Sequence, residues 1–539
     1  MHIGLDLDNT LVCYDRVFFQ AAQQLLPQGW RGGKRALRDL LLSREKGEEV
    51  WQVLQGRVYG ALMHQAQLKP GAGWFLLYCK ARGVRVSVVS HKTEYSPKDP
   101  GKVPLRKVAL DWMRNLGFFD LDRFGISPQA IHFEDTRQDK VQRIATLGCS
   151  HFVDDLPEVF SEQGFPAEVT KILYHNNNEP TSSLPKTVLM CSDWASIGLK
   201  LLGPESEEDL AVIARGLMPD LEISRCQSVT GGGNSRAYRL SRPADKPLML
   251  KCYPAIVGDG RDRLGTETRA CSFLRSKGVD EVAVVASVNE ANQVAAFEWI
   301  EGERLDVPRL DDLAQLVEFV GQLDSLRQAE PAQTFAPASE ACFSGQEICR
   351  QIRFRRDRLG RLAIECGELS SYLRQDFDPL FARVCNWAQH HWPHDQTFDD
   401  ELPVQYRTLS TSDLGFHNTL REESGMLRVI DLEYFGWDDP VKLASDFCWH
   451  PGMALGQQMR NEWIHAVTDI FARDRSFTAR LRAAHPLYGL RWAMIVLNPF
   501  LTSQHSNSIS TKVLRSQLEK SVGLCRCVTL WIENEPTSF

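Results

Sequence analysis

The residues of this 539-residue chain that could do chemistry begin at its sixth position, with Asp6-Leu-Asp8-Asn-Thr10 directly after an apolar run. Two carboxylates one residue apart at the end of a strand can divide labour. One attacks phosphorus, while the other passes a proton to the leaving group and later takes one from water. Taken alone, the pattern is equally that of an acidic turn. Three later features change the balance. Ser90 ends the strand-like run Val84–Val89, where a hydroxyl could bind a phosphoryl oxygen. Lys140 opens an expected helix Lys140–Leu147 and could neutralise charge during phosphoryl transfer. Asp154 and Asp155 close the run His151–Val153, where carboxylates suit Mg²⁺, a cation that prefers oxygen ligands. Lys92, Lys98 and Lys102 also follow Ser90, and Lys140 is favoured by its place just before the Asp154 strand.

A second constellation follows. Thr230-Gly231-Gly232-Gly233-Asn234-Ser235 lies between two strand-like runs, and consecutive glycines let backbone N–H groups approach phosphates. A hairpin turn has the same composition. The run gains weight from Lys251, at the end of Leu248–Lys251, and from Glu267 in the expected helix Thr266–Leu274, since a lysine held by a helix glutamate is how kinases grip nucleotide phosphates. Ser412-Asp413-Leu-Gly-Phe-His-Asn418 then precedes a strand and Val429-Ile-Asp431. Asp413 is placed to receive a hydroxyl proton, and Asn418 and Asp431 offer hard oxygen ligands to Mg²⁺.

On the first set of residues, the first 200 or so positions resemble the haloacid dehalogenase superfamily. The resemblance implies Asp6 as nucleophile through an aspartyl-phosphate, Asp8 as general acid and base, and Ser90 and Lys140 on the phosphoryl group. It places Asp154 on Mg²⁺ beside the Asp6 carboxylate and the Asp8 backbone carbonyl, with Thr10 structural and Asp155 in support. On the second set, most of 206–539 resembles the aminoglycoside phosphotransferase and choline-kinase-like family. This implies Asp413 as catalytic base, Asn418 and Asp431 on Mg²⁺, Lys251 on the phosphates of ATP, and Phe297-Glu298-Trp-Ile300 as the hinge that meets adenine. Trp437-Asp-Asp-Pro440 and Asp446 follow the family pattern. The family's His-Gly-Asp reads Thr411-Ser-Asp413 here, so the histidine that supports the loop is missing.

The elements that must position these groups follow from the hydrophobic pattern. Strand-like runs at Ile3–Leu7, Arg85–Val89, Ala130–Phe133, His151–Val153, Lys171–Tyr174 and Val188–Met190 alternate with helices. That is the signature of an α/β fold with a doubly wound parallel sheet, which binds ligands at its carboxyl edge. The helical stretch between Asp15 and Gly71 is expected to form a small cap, and His91–Tyr95 is either a substrate loop or a polar turn. His175–Ser183 reads as a loop, and Pro204–Asp209 as the boundary between a domain at 1–203 and one at 204–539. The second is expected to be a two-lobed α+β kinase-like domain, with strands in Cys226–Leu240 and Leu248–Tyr253 and long helices beyond.

The bulk numbers narrow the class. The length calls for more than one domain, and a net charge of -7 argues against a nucleic-acid partner. No leader segment and no span long enough for a bilayer stand out, and the 14 scattered cysteines suit buried thiols, so a cytoplasmic setting is expected. Glu433, Asp438 and Asp439 could attract an amine or brace their loop. The expectation is therefore a bifunctional Mg²⁺-dependent enzyme. One site would hydrolyse a phosphomonoester, and the other would phosphorylate a small sugar or polyol hydroxyl, a surface-polysaccharide precursor being one such acceptor. The alternatives are a kinase with a phosphatase-like metabolite sensor, or a non-enzymatic nucleotide-binding scaffold.

Overall fold

The structure, a computed structural model, describes residues 1–27, 33–96, 98, 101–175, 187–229, 235–254, 261–362, 367–453, 455–503 and 510–534. The chain divides into two compact units, one of residues 1–264 with 285–299, the other of 265–284 with 300–539.

The first unit opens on a six-stranded, all-parallel sheet. Its order is Ile131–Glu134, Arg85–His91, His2–Leu5, His151–Asp154, Thr170–Tyr174 and Val188–Cys191. His2–Leu5 is central and buried on both faces, which is why it carries no polar alternation. Register decides the chemistry. Leu5 pairs with Val88 on one side and Val153 on the other, so the next residue, Asp6, emerges at the carboxyl edge beside Asp154. The first strand ends at Leu5 rather than Leu7, because the chain turns there: Leu11 and Val12 N–H groups both donate to the Leu7 carbonyl. The expected helix at Lys140 begins earlier, at Arg137, with the Thr136 side chain accepting from the Asp139 N–H as its cap. Lys140 is thus the fourth residue of that helix and not its first.

Between Asp15 and Gly71 stand the helices Asp15–Ala21, Lys34–Leu42 and Gly47–Tyr59, closed at the base by antiparallel pairing of Val12–Cys13 with Gln67–Leu68. Phe18 stacks on Trp51 with ring centroids 5.2 Å apart, giving the insert its own apolar seam.

A five-stranded antiparallel sheet shares this unit, in the order Val285–Asn289, Val294–Glu298, Leu248–Cys252, Arg236–Ser241, Arg225–Val229. One hydrophobic core runs through both sheets' surroundings. Its junction is the helix Ala72–Ala81, apolar on nearly every face, against the helix Glu207–Leu217. Trp74 stacks on Tyr238 at 5.1 Å and donates its indole N–H to Glu205 at 2.7 Å. Arg82 Nε donates to Asp209 at 2.9 Å. Leu77 lies where a β-carbon on Gly216 would sit, so only glycine permits this closeness.

The second unit is mostly helical, including Leu310–Ser325, Gly345–Leu362, Asp378–His390, Pro440–Trp449, Gln457–Ile470, Phe477–Ile495 and Thr511–Glu533. Two short sheets carry its polar loops. Gly302–Arg304, Thr419–Glu422 and Leu427–Val429 form one, and Thr408–Ser410 with Gly436–Asp438 the other. No described helix is long and apolar enough to cross a membrane.

Candidate functional site

At the carboxyl edge of the parallel sheet, Lys140 Nζ lies 2.6 Å from Asp6 Oδ1 and 2.6 Å from Asp154 Oδ2. All three side chains are buried. The Asp6 N–H donates to the Val153 carbonyl, which locks the chain at Asp6 to the neighbouring strand. Asp154 Oδ1 accepts the Leu156 N–H at 3.0 Å, and Thr10 donates to Asp155 at 3.2 Å. Burial, partly offset by Lys140 and reinforced by Asp154 and Asp155, holds the Asp6 carboxyl well above its usual range. Burial and then Asp154 push Asp155 up to about 7. Excess negative charge in a dry pocket has this effect, and an added cation relieves it. Oxygens of Asp6, Asp154 and Asp155 lie within 4.8 Å of one another, an all-oxygen set that suits Mg²⁺. Ser90 sits one residue past the register of Val89 in the adjacent strand, and its buried hydroxyl has no hydrogen-bond partner.

Asp8 stands apart from that cluster. Its carboxylate accepts the Tyr14 hydroxyl at 2.6 Å and Lys92 Nζ at 2.8 Å and 3.1 Å. The helical insert contributes Lys34, which donates to Asn9 Oδ1 at 2.7 Å and to Tyr59 at 3.2 Å. Asn9 has φ of +65°, a conformation that asparagine tolerates. The two lysines are thus sorted, Lys140 to the buried Asp6 and Asp154 and Lys92 to Asp8. Lys98 and Lys102 are given no carboxylate partner by the described contacts.

In the second unit, Asp413 follows the strand Thr408–Ser410 and precedes the short turn Phe416–Asn418. Asn418 Nδ2 donates to the Asp413 carbonyl at 3.0 Å and to its Oδ2 at 3.2 Å, while His417 Nε2 lies 3.1 Å from Oδ1. His450 stacks on His417 with ring centroids 3.7 Å apart, its Nε2 3.8 Å from the same Oδ1. Burial raises the Asp413 carboxyl, but the His417 hydrogen bond and nearby His417, His450 and Lys442 outweigh it and leave the pKa below its ordinary value. Such a group is ionised at neutral pH and able to accept a proton. His417 and His450 were not singled out in the sequence. The signal for His417 was its place four residues after Asp413, inside the loop.

Asp431, with φ of +67°, follows the strand Leu427–Val429 and comes together with Glu267 and Glu433, their oxygens within 4.8 Å of one another. Glu267 also accepts the Leu432 N–H at 3.3 Å. This set too is all oxygen and fits Mg²⁺. Asn418 directs its amide nitrogen to Asp413, leaving its oxygen to offer. Asp438 and Asp439 are buried and bonded to Lys442 and Arg480 respectively, so they brace their loops and present no surface to an amine.

The nucleotide-binding residues expected from sequence are spread over both units. Gly231, Gly232, Gly233 and Asn234 lie outside the described residues, and Ser235 stands just before the strand Arg236–Ser241. Lys251 is buried on the strand Leu248–Cys252, its Nζ 5.1 Å from the Tyr253 ring centroid. Glu298 ends the strand Val294–Glu298 opposite Leu248. Glu267 and the buried Ile300 belong to the second unit.

Comparison with known proteins gives one family match. Residues 225–477 match the phosphotransferase enzyme family, which supports kinase-like phosphotransfer for the C-terminal region. No curated protein matches the chain. Among solved structures, a spectinomycin phosphotransferase in complex with ADP and spectinomycin is similar at 12% identity and a TM-score of 0.41, covering 60% of this chain and 99% of its own. The choline kinase LicA from Streptococcus pneumoniae is similar at 13% identity and 0.41, covering 59% and 98%. A choline/ethanolamine kinase family protein from Mesorhizobium loti is similar at 17% identity and 0.39, covering 56% and 87%.

Proposed function

We propose that this chain is a bifunctional Mg²⁺-dependent phosphoryl-transfer enzyme. The C-terminal region transfers the γ-phosphoryl group of ATP to a small-molecule hydroxyl, and the N-terminal sheet domain, of the haloacid dehalogenase kind, hydrolyses a phosphomonoester. The observation that carries the reading is the Asp6–Lys140–Asp154 cluster at a parallel sheet's carboxyl edge, in a chain whose residues 225–477 match a phosphotransferase family. As units of function, the two are 1–203 and 204–539.

In the first site, Asp6 attacks phosphorus and the ester oxygen leaves with a proton from Asp8. Water then attacks the aspartyl-phosphate, gives its proton to Asp8 and releases phosphate. Lys140 and the Ser90 hydroxyl face the phosphoryl oxygens. Asp6, Asp154 and Asp155 would hold Mg²⁺, which when bound neutralises charge on the transferring group. In the second site, Asp413 takes the acceptor's hydroxyl proton as that oxygen attacks the γ-phosphorus and ADP leaves. Lys251 and the Gly231–Ser235 segment serve the phosphates, and Glu298 and Ile300 the adenine. Asn418, Asp431 and Glu433 would hold Mg²⁺. Because Asp438 and Asp439 are already bonded to buried cations, a sugar or polyol acceptor is favoured over a polyamine.

A second reading has a specific observation behind it. The core shared by the Asp6 domain and the five-stranded sheet suits a sensor that reports to the kinase. Phosphorus NMR with Mg²⁺, ATP and a panel of sugar and polyol phosphates separates the two. For the bifunctional enzyme, D6N abolishes substrate-dependent phosphate release and spares ester formation, and D413N does the reverse. Ester formation without any phosphate release in the unmodified protein selects the sensor. Neither activity in folded protein removes both readings and leaves a binding scaffold.

A further inference from the structure

Ser412, the residue before Asp413, has φ of +65°. In that region a β-carbon crowds the backbone, and residues other than glycine need outside support. The support is specific. Ser412 Oγ donates to the Ser339 carbonyl at 2.8 Å and accepts from Lys442 Nζ at 2.9 Å, while Nζ also lies 3.4 Å from the Ser412 carbonyl. Thr411, next along, has a buried hydroxyl with no hydrogen-bond partner, so its side chain braces nothing.

Lys442 is an unusual brace. Its side chain is 0% exposed, and it lies near the N-terminus of the helix Pro440–Trp449, where the helix dipole opposes a cation. Two carboxylates hold it there. Asp438 Oδ2 is 2.9 Å away and Asp446 Oδ2 3.3 Å, one four residues before and one four after. Asp446 is itself bonded by Arg491 at 3.0 Å, Arg491 reaches Glu340 at 2.9 Å, and Glu340 pairs with Arg355. Acids and bases alternate along this chain with no net charge. Lys442 is the member that the described contacts join to Ser412.

We propose that Lys442 is a positioning residue for Asp413, gripping Ser412 in its left-handed conformation so that the Asp413 carboxylate is aimed before substrate arrives. The role rests on Asp413 being the base of the proposed kinase. Asp413 is fixed at its far side by His417 and Asn418, and the Lys442 grip fixes the backbone that precedes it.

The test uses the full chain and two paired variants. K442M alone strands the buried Asp438, so D438N/K442M removes both charges together and leaves Asp446 with Arg491. With Mg-ATP as probe and the acceptor taken from the NMR panel, kcat of D438N/K442M should fall about 100-fold, the usual cost of misplacing a reacting group by about 1 Å. KM for ATP should move by less than about threefold. Adding S412G should recover roughly five- to tenfold of the loss, because glycine takes this φ unaided. Hydrogen exchange of residues 408–418 should speed up about tenfold with the helix Phe477–Ile495 unchanged. Wild-type kcat and exchange in D438N/K442M overturn the proposal. So does a loosening spread through the whole C-terminal unit with no recovery by S412G, since Lys442 is then only a core ion. Should the unmodified protein form no ester at all, the kinase reading falls separately. Exchange then decides the grip: acceleration confined to 408–418 supports it and none overturns it.

Discussion

Replacing Lys140 with methionine removes the ammonium that lies 2.6 Å from both Asp6 and Asp154 and keeps most of the stem's packing. Asp154 is 0% exposed and Asp6 5%, so neither carboxylate can recover its hydration. Stranding buried charge in this way costs about 3–5 kcal/mol, and the first unit should melt roughly 10 °C lower, at about 2–4 °C per kcal/mol for a body of this size. The sign with pH follows from protonation. The Asp6 carboxyl, raised further above its unfolded value, is protonated in the folded state at a pH where the unfolded chain has released that proton. The cost of the variant therefore grows as pH rises from about 4 and shrinks again in acid. Mg²⁺ should restore part of the loss, since a divalent cation among Asp6, Asp154 and Asp155 replaces the missing charge. Adding D6N to K140M should also restore part of it. Thermal melts across pH 4.5–8, with EDTA or millimolar Mg²⁺, measure all of this. A loss below about 1 kcal/mol that is flat with pH and blind to Mg²⁺ would refute the buried charge cluster as the organiser of the site.

Trp74→Ala removes a large buried ring and its bond to Glu205, at about 3–5 kcal/mol. Hydrogen exchange should rise together in the helix Ala72–Ala81 and the strand Arg236–Ser241, and a rise in only one of them contradicts the common core. His485 is lowered to about 3 and His450 to about 4, in both cases by burial first, so between those values and about 6.5 the unfolded chain binds protons that the folded one refuses. Stability should fall with pH through that window, by about 2 kcal/mol per histidine at pH 5, and denaturation of H485F should lose its share of the slope. EDTA should stop both phosphate release and ester formation. E433Q should lower ester formation at least about tenfold and leave phosphate release unchanged, as read by phosphorus NMR.

What the sequence made legible was set by strand register. Asp6, Ser90 and Asp154 each follow an apolar run, and in a parallel sheet the residues after such runs gather at one edge whatever the helices between them do. Lysines were harder to place, because a four-carbon stem reaches several positions and sequence order does not say which. Lys140 and Lys92 were alternatives for one role, and the structure gives each its own carboxylate. The shared core also leaves a sign in the sequence. Ala-Gly-Trp-Phe-Leu-Leu-Tyr-Cys-Lys-Ala at 72–81 is apolar on nearly every face, and a helix of that kind is covered on more than one side. The five-stranded sheet's helix Glu207–Leu217 is the second cover. Lys442 left a fainter sign, Asp446 four residues after it, which puts the two on one helix face without revealing that the face is buried or that Asp438, in the preceding strand, closes on the same lysine.

The same physical device is used at both candidate sites, and it explains why so many of their groups are buried. A carboxylate held at a chosen geometry, buried at Asp6 and half-buried at Asp8 and Asp413, is given fixed partners in place of mobile hydration. Asp6 receives Lys140, Asp8 receives Lys92 and Tyr14, and Asp413 receives His417 and Asn418. The direction in which each carboxyl's affinity for protons moves then depends on the balance of partners. Asp6 is raised by burial, with Asp154 and Asp155 adding to it against the pull of Lys140, which favours a site that takes up a cation before it reacts. Asp413 lies among cationic and imidazole groups and is lowered, which favours a base already ionised when a hydroxyl arrives. Neutralising Asp155 should lower the Asp6 carboxyl, whereas neutralising His417 or Lys442 should raise that of Asp413, so the pH profiles of the two proposed activities should move in opposite directions.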